Sequence, residues 1–356
     1  MDLLVQKDDL KQEHSRLRML ASNEELPSIS IVIPTFNSEG TLLDCLASIA
    51  MQKYAKEKIE ILIVDGGSTD RTLSISKDFR CKIVENPFVI HPKGRPLGIA
   101  KAKGDLTLCL DSDNVLDSDD WLIKMVEPFK DPEIFASEPL YYGARDNDSL
   151  LTKYISLIGG DDPIAVYLGF YDRFSILTNR WTDSPVKYDD LGSFYKVEFL
   201  DPQDIPPLGS NGFMARSNIL RSVKYDPFLH VEVVRRIIHS FNLKFAKVKV
   251  GIIHVHSHSI GQFLQKKRRR VSRRLYKPES QHFESSVLSK ERIQKVVIRF
   301  LLLRPLLDMI KGFTVKPSKI WLLHPMITFG TAFIYAYEWM LKTLRFSREP
   351  ASYETV

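Results

Sequence analysis

An α/β fold with a mostly parallel central sheet, flanked by helices, is what this chain predicts. Three observations carry the prediction. Strand-like and helix-like segments alternate over residues 28–114. The strand segments are short apolar runs, as expected where a strand is buried on both faces. Each run ends in polar, turn-forming residues, which gathers reactive side chains at the carboxyl ends of the strands, where open α/β sheets bind ligands.

The first strand is SISIVIP, residues 28–34, stopped by a proline that cannot continue the ladder. TFNSEG leads into a helix whose apolar residues Leu42, Leu43, Leu46, Ile49 and Ala50 recur at helical spacing. IEILIVDGGSTD is a second strand that breaks at Asp65, Gly66 and Gly67, with Ser68 or Asp70 placed to cap the next helix. CKIVENP supplies a third strand, PLGIAKAKGD a short helix ended by Gly104, and LTLCL a fourth strand that delivers DSDN, residues 111–114. Residues 121–129 read as a helix and SEPLYYGA as a strand, whereas residues 146–208 are polar, aromatic and irregular.

DSDN puts two carboxylates one residue apart. In an extended segment alternate side chains share a face, so Asp111 and Asp113 would point the same way. Two hard oxygen ligands suit Mg²⁺ or Mn²⁺, which take a few carboxylates together with diphosphate oxygens. The competing reading is a turn, because Asp, Ser and Asn are turn formers and Asp117, Asp119 and Asp120 follow closely.

PTFNSEGTLLDCLASI, VDGGSTDRT, a segment ending AKGD, and LCLDSDN, in that order, resemble the family 2 glycosyltransferases of the GT-A fold. The likeness is strongest over residues 28–114 and continues more weakly to about residue 274. It implies inverting transfer of a sugar from a UDP- or GDP-linked nucleotide-diphospho-sugar, with Mg²⁺ or Mn²⁺, to a glycan or lipid-linked acceptor. It places Pro34, Thr35, Phe36 and Asn37 around base and ribose, with Glu39 the acid that follows. Asp65 would read the nucleobase, with Gly67 in the same turn and Asp70 closing it, although Asp70 is equally a helix cap and Pro34 a strand terminator. Arg95 stands where a basic residue approaches the diphosphate, in Gly94-Arg95-Pro96 rather than the family's Ala-Arg-Asn. Asp111 and Asp113 correspond to the metal-binding DxD motif, Asp113 as the direct ligand. LGSNGFMARSNIL resembles the segment facing donor sugar and acceptor, which assigns Ser210, Asn211 and Gly212 there; the alternative is an ordinary Gly-Asn turn.

The base is less legible. Similar enzymes carry Glu-Asp at the start of a helix after that segment, whereas this chain reads PFLHVEVVRRI. Glu232 serves as base, or His230 does, or a phosphate acceptor needs none because it is already ionised near neutral pH. Glu232 is equally explained as a helix-face acid paired with Arg235 or Arg236. Downstream, His254, His256 and His258 alternate and share a face if their strand continues, which would form a metal site. Separately, the resemblance implies a His near this point that reaches the donor diphosphate or its metal, a place His254 or His256 would take. No Cys, Asp or Glu lies beside them, which argues against a dedicated zinc site.

The formal net charge of +6 owes much to KKRRRVSRR, residues 266–274, with seven basic residues in nine. Such a run favours phosphate-rich ligands and anionic lipid surfaces or is a solvated helix face; without recognition motifs or aromatic interleaving it does not point to nucleic acid. GQFLQKKRRR lacks the Gln-x-x-Arg-Trp form of processive polymerases. Cys45, Cys81 and Cys109 have no paired spacing and read as buried thiols of a reducing compartment.

Residues 320–337 hold no Asp, Glu, Lys or Arg over eighteen positions. A buried helix, an interfacial helix and a short span all fit; membrane attachment, interfacial or re-entrant, is favoured by Trp321, Tyr335, Tyr337 and Trp339 near its ends. The expected organisation is a charged arm or helix over residues 1–27 without a signal peptide, a GT-A catalytic domain over 28–275, and a helical, membrane-associated region over 276–356 on the cytoplasmic face. Two alternatives remain open: transfer to a polyisoprenyl phosphate, and a non-catalytic, membrane-bound binder of nucleotide sugars.

Overall fold

The computed structural model describes residues 26–201, 205–225, 227–241, 243–256, 259–276, 294 and 303–346. His258 and nearly all of the expected N-terminal arm lie outside these residues. The chain divides into two compact units, Met1–Gly143 with Ser184–Val255, and Ala144–Asp183 with His256–Val356.

The strands are β1 (Ile29–Thr35), β2 (Ile59–Asp65), β3 (Lys82–Glu85), β4 (Leu106–Cys109), β5 (Asn114–Leu116), β6 (Ile134–Gly143), β7 (Val186–Asp190), β8 (Phe194–Phe199), β9 (Phe213–Arg216) and β10 (Lys244–His254). The helices are α1 (Glu39–Ala50), α2 (Thr72–Asp78), α3 (His91–Lys101), α4 (Trp121–Val126), α5 (Leu150–Ile158), α6 (Pro163–Tyr167), α7 (Ser217–Ser222), α8 (His230–Phe241), α9 (Ile260–Tyr276), α10 (Arg304–Val315) and α11 (Leu323–Phe346).

The strands of the first unit form one sheet in the order β3-β2-β1-β4-β9-β6-β10-β8-β7, with β5 paired to β10. Parallel pairing holds from β3 to β4, where α1, α2 and α3 make the crossovers. Beyond β4 the sheet is mixed, because β9 runs antiparallel to both β4 and β6. Every residue of β1 is buried, which explains its unbroken apolar run. Ile31 and Ile33 of β1 pack with Leu42, Cys45 and Leu46 of α1 in the core. Against β1 and β2 lies α3, so close that a Cβ on Gly98 would come within 2.4 Å of Val32 and 2.7 Å of Val64. That contact seats the first turns of α3, which carry Arg95, at the strand ends.

The described residues between 146 and 208 form more regular structure than their composition suggested. In the second unit, Ser149 caps α5 and Asp162 caps α6 through their side chains. In the first, β7 and β8 form an antiparallel hairpin. At nine and five residues, α5 and α6 are too short for their periodicity to stand out in so polar a stretch. The basic run lies on α9 and is partly neutralised within the second unit: Lys267 lies 3.3 Å from Asp162, Arg270 2.7 Å from Asp161, and Arg268 2.7 Å from Glu338. Cys45, Cys81 and Cys109 are free thiols; Cys45 and Cys109 are buried as expected, whereas Cys81, between α2 and β3, is only partly buried.

Candidate active site

Two loops at the carboxyl ends of β1 and β2 are bound to each other. Thr35 donates its hydroxyl to Asp65 at 3.0 Å, and Asp65 also accepts the Gly67 and Ser68 amides at 2.9 Å and the Ser68 hydroxyl at 2.5 Å. Both oxygens of Asp65 are thus taken by donors of these loops. Asn37 sits in the left-handed region, φ 48°; its amide donates to Ser68 Oγ and its Oδ1 accepts the Thr69 amide, both at 2.9 Å. Glu39 accepts the Arg71 amide at 3.1 Å, and Asp70 accepts the Glu39 and Thr72 amides at 3.0 Å. Pro34 lies in register with Val64, and Gly67 takes the turn at φ 88°. The acids and Asn37 therefore hold the shape of a shelf, on which the Phe36 side chain is 44% exposed.

DSDN is not extended. Asp111 C=O accepts the Asn114 amide and Asn114 Oδ1 accepts the Asp111 amide, each at 3.0 Å, closing a turn between β4 and β5. The expectation that Asp111 and Asp113 share a face is corrected here: turn chemistry prevails, and the two carboxylates take different partners. Asp111 accepts from Arg95 Nη2 at 2.5 Å, whereas Asp113 Oδ2 lies 3.3 Å from His254 Nε2.

Arg95 is 3% exposed and packs over the Phe228 ring, with its guanidinium carbon 5.7 Å from the centroid. Its Nη1 approaches His230 Nε2 at 2.9 Å and Nδ1 at 3.1 Å, so the imidazole lies side-on to the guanidinium. Burial is the largest single influence and pulls the Asp111 carboxyl up, but the nearby groups that favour its charged form, Arg95 foremost, together hold Asp111 below the ordinary carboxylate range. Burial first, and Arg95 second, push His230 down to about 4, so its ring is neutral at neutral pH.

The loop after β8 is tied to this centre from below. Glu138 Oε1 accepts the Gly209 and Ser210 amides at 3.0 and 3.1 Å, while Oε2 bonds Lys247 at 3.0 Å, with both side chains fully buried. Asn211 (φ 46°) accepts from Asn114 Nδ2 at 3.1 Å and donates to the Tyr142 hydroxyl at 2.9 Å. Gly209, at φ 101°, brings its backbone so near α8 that a Cβ there would lie 2.9 Å from His230 Cβ. Ser210, Asn211 and Gly212 are thereby joined to the DSDN turn. Glu138, Lys247 and Tyr142 were not singled out from the sequence; a charge inside each apolar strand run, SEPLYY and AKVKVG, was the available signal.

Of the two candidate bases, the structure brings His230 to Arg95 and directs Glu232 elsewhere. Glu232 bonds Arg236 at 2.9 Å and lies 3.9 Å from Arg235, on its own helix. The expected alternation of His254 and His256 on one strand face is also corrected, because β10 ends at His254. His256 belongs to the second unit, where its amide donates to Thr152 Oγ1 at 2.9 Å and its ring lies 6.0 Å from that of Phe263. Among the described residues no group of three or more His, Cys, Asp or Glu gathers to hold a metal ion. A metal carried on a diphosphate needs fewer protein ligands, and adjacent ligands at ~2.1 Å from an octahedral ion lie about 3 Å apart. The 3.3 Å between Asp113 Oδ2 and His254 Nε2 fits that spacing.

A family model described as Glycosyl transferase family 2 matches residues 30–201. An N-acetylglucosaminyltransferase of Bradyrhizobium elkanii is 36% identical over 138 residues, covering 36% of this chain and 74% of that protein. The poly(ribitol-phosphate) beta-N-acetylglucosaminyltransferase TarS of Staphylococcus aureus is 28% identical over 184 residues, 49% of this chain but only 29% of TarS. Among solved structures, the mannosyltransferase PcManGT from Pyrobaculum calidifontis, in complex with GDP-Man and Mn²⁺, aligns at a TM-score of 0.50 and 13% identity, covering 94% of this chain and 99% of that one. That last likeness is one of fold.

Proposed function

This chain belongs to glycosyl transferase family 2, and on that premise we propose that it transfers a sugar, with inversion, from a UDP- or GDP-linked donor to a glycan or lipid-linked acceptor. The observation that supports this most is the convergence, at the ends of β1, β4 and β10, of an exposed aromatic shelf, a buried cation and an Asp–His pair. Phe36 offers a face for the base. Arg95, oriented by Asp111, presents positive charge toward a diphosphate. Asp113, with His254 beside it, is the place for Mg²⁺ or Mn²⁺, which when bound neutralises charge on the leaving diphosphate. PcManGT, the fold relative, was solved with GDP-Man and Mn²⁺. The loop of Ser210, Asn211 and Gly212 faces donor sugar and acceptor, where amide groups suit sugar hydroxyls.

A specific observation favours an acceptor that is already ionised. Glu232 is engaged by Arg236, and His230, held near 4, is a weak base. A phosphate, such as a polyisoprenyl phosphate, needs no stronger one. We further propose attachment to the cytoplasmic face of a membrane. Lys319–Leu344 is long and apolar enough to cross one, and free thiols suit a reducing compartment.

The test is release of nucleoside diphosphate from a panel of UDP- and GDP-sugars, with hydroxyl and phosphate acceptors compared. Turnover faster with a phosphate acceptor supports the reading. Metal-dependent nucleotide binding with no turnover, hydrolysis included, would leave a non-catalytic binder instead.

A further inference from the structure

In the second unit, α11 is amphipathic in the opposite sense to a helix of a water-soluble domain. Its buried positions recur at helical spacing, and His324, Thr328, Thr331 and Glu338 among them are polar. Its exposed positions recur likewise, and Met326, Phe329, Phe333, Trp339 and Met340 among them are apolar. Among the described residues of α11, none of those classed as exposed is charged. The same sense holds in α10, which buries Asp308 and exposes Leu306, Leu307 and Ile310.

The inner face is built, not merely polar. His324 Nδ1 pairs with the Tyr154 hydroxyl at 2.8 Å and Nε2 with the Tyr167 hydroxyl at 3.1 Å; the Tyr167 hydroxyl donates to Asp308 at 2.9 Å. Arg268 of α9 donates to Glu338 at 2.7 Å, and Tyr335 donates to Asp162 at 2.7 Å. Turning α11 over would break the bonds of His324, Tyr335 and Glu338, so the apolar face is held outward. A contiguous apolar face held outward marks a contact with another apolar phase or partner.

We infer that α10 and α11 form a docking face that lies in the headgroup–acyl boundary of an anionic bilayer and does not cross it. Charge decides the occupant. Exposed Lys266 and Arg269 on α9, and exposed Lys316 and Lys319 between α10 and α11, complement anionic headgroups. In a pairing of two copies, the same cations at the rim would repel. Charge also decides the depth. Arg268 ties charged α9 along α11, so a span would draw Lys266–Arg270 toward the hydrocarbon, where ionised side chains are disfavoured. The apolar face of an interfacial helix sinks only ~5–10 Å into the headgroup–acyl boundary. This rests on the membrane attachment proposed above and is independent of the sugar chemistry.

The test is flotation of the full chain with vesicles of phosphatidylcholine, with and without phosphatidylglycerol, followed by an alkaline carbonate wash. The wild type is expected to float with the anionic vesicles and to be released by carbonate. Phe329→Ser with Phe333→Ser should lower vesicle affinity at least about tenfold, with nucleotide binding and the circular-dichroism melt retained. Lys266→Glu with Arg269→Glu, which alters no apolar residue, should lose the preference for anionic vesicles. Absence of flotation on both vesicles, retention after carbonate, or serine variants that float unchanged would overturn the inference. So would a wild-type dimer that the serine variants convert to monomer without change in flotation. Because nucleotide binding is followed in each variant, failure here is separable from failure of the transferase reading.

Discussion

Arg95 Nη2 meets Asp111 Oδ1 at 2.5 Å, and through this pair a helix after β3 fixes the turn that ends β4. The guanidinium is almost wholly buried while Asp111 keeps 26% side-chain exposure, so the carboxylate is oriented by a cation that water scarcely reaches. Replacing Arg95 by Met would leave that carboxylate without its partner. The expected loss of stability is about 2–3 kcal/mol, below the range for fully buried pairs because Asp111 is partly solvated. Donor kcat/KM should fall by at least about a hundredfold, as for removal of a group that stabilises developing charge. Urea denaturation and donor-hydrolysis kinetics check the two parts.

His230 sets an acid limit on the fold. Its folded value is pushed down to about 4, against about 6.5 in the unfolded chain, so between these values the unfolded state binds the extra proton. Stability should therefore be complete above about pH 6.5 and fall as pH drops toward 4, by on the order of 2–3 kcal/mol. His230→Gln should flatten that part of the profile. Melting temperatures measured from pH 4 to 7 in both proteins decide it; identical slopes would contradict the assignment.

Lys247 and Glu138 are paired with both side chains fully buried, so removing one should be far worse than removing both. Lys247→Met is expected to destabilise by about 3–5 kcal/mol, and adding Glu138→Gln should recover a large part of it. Because Glu138 also accepts the Gly209 and Ser210 amides, the double variant should keep its donor affinity better than its turnover. Chemical denaturation with a kcat and KM comparison tests both statements.

Glu232 gives the sharpest negative expectation. Its ion pairs lie on a half-exposed helix face, so Glu232→Gln should change stability by less than about 1 kcal/mol and turnover by less than about tenfold. A fall of ~10²–10⁴ in turnover would identify it as the base after all.

The first part of the molecule was legible because its signals are local. Apolar runs, prolines and Gly-Asn-Asp turns announce β1, β2 and β4 within a few residues of one another, and the motifs at their ends follow. What was not legible depends on distance or on where an element stops. Asp111 and Asp113 could be read as extended or as a turn until Asn114 was seen to close it. The histidine alternation failed because β10 ends one residue into it. Lys247 and Glu138 are 109 residues apart in sequence, and no window shows that one answers the other. The apolar content of α11 was evident in the sequence, but which of its faces turns inward depends on Tyr154, Tyr167 and α9.

The most direct test of the central claim is calorimetric titration of UDP and GDP into the full chain, with Mn²⁺, with Mg²⁺ and with neither, for the wild type and Asp113→Asn. One nucleotide should bind only when a divalent ion is present, and the substitution should weaken it by at least about tenfold, as loss of a hard oxygen ligand implies. Binding indifferent to both ion and substitution, or no binding of either nucleotide, would mean that DSDN is a turn and nothing more.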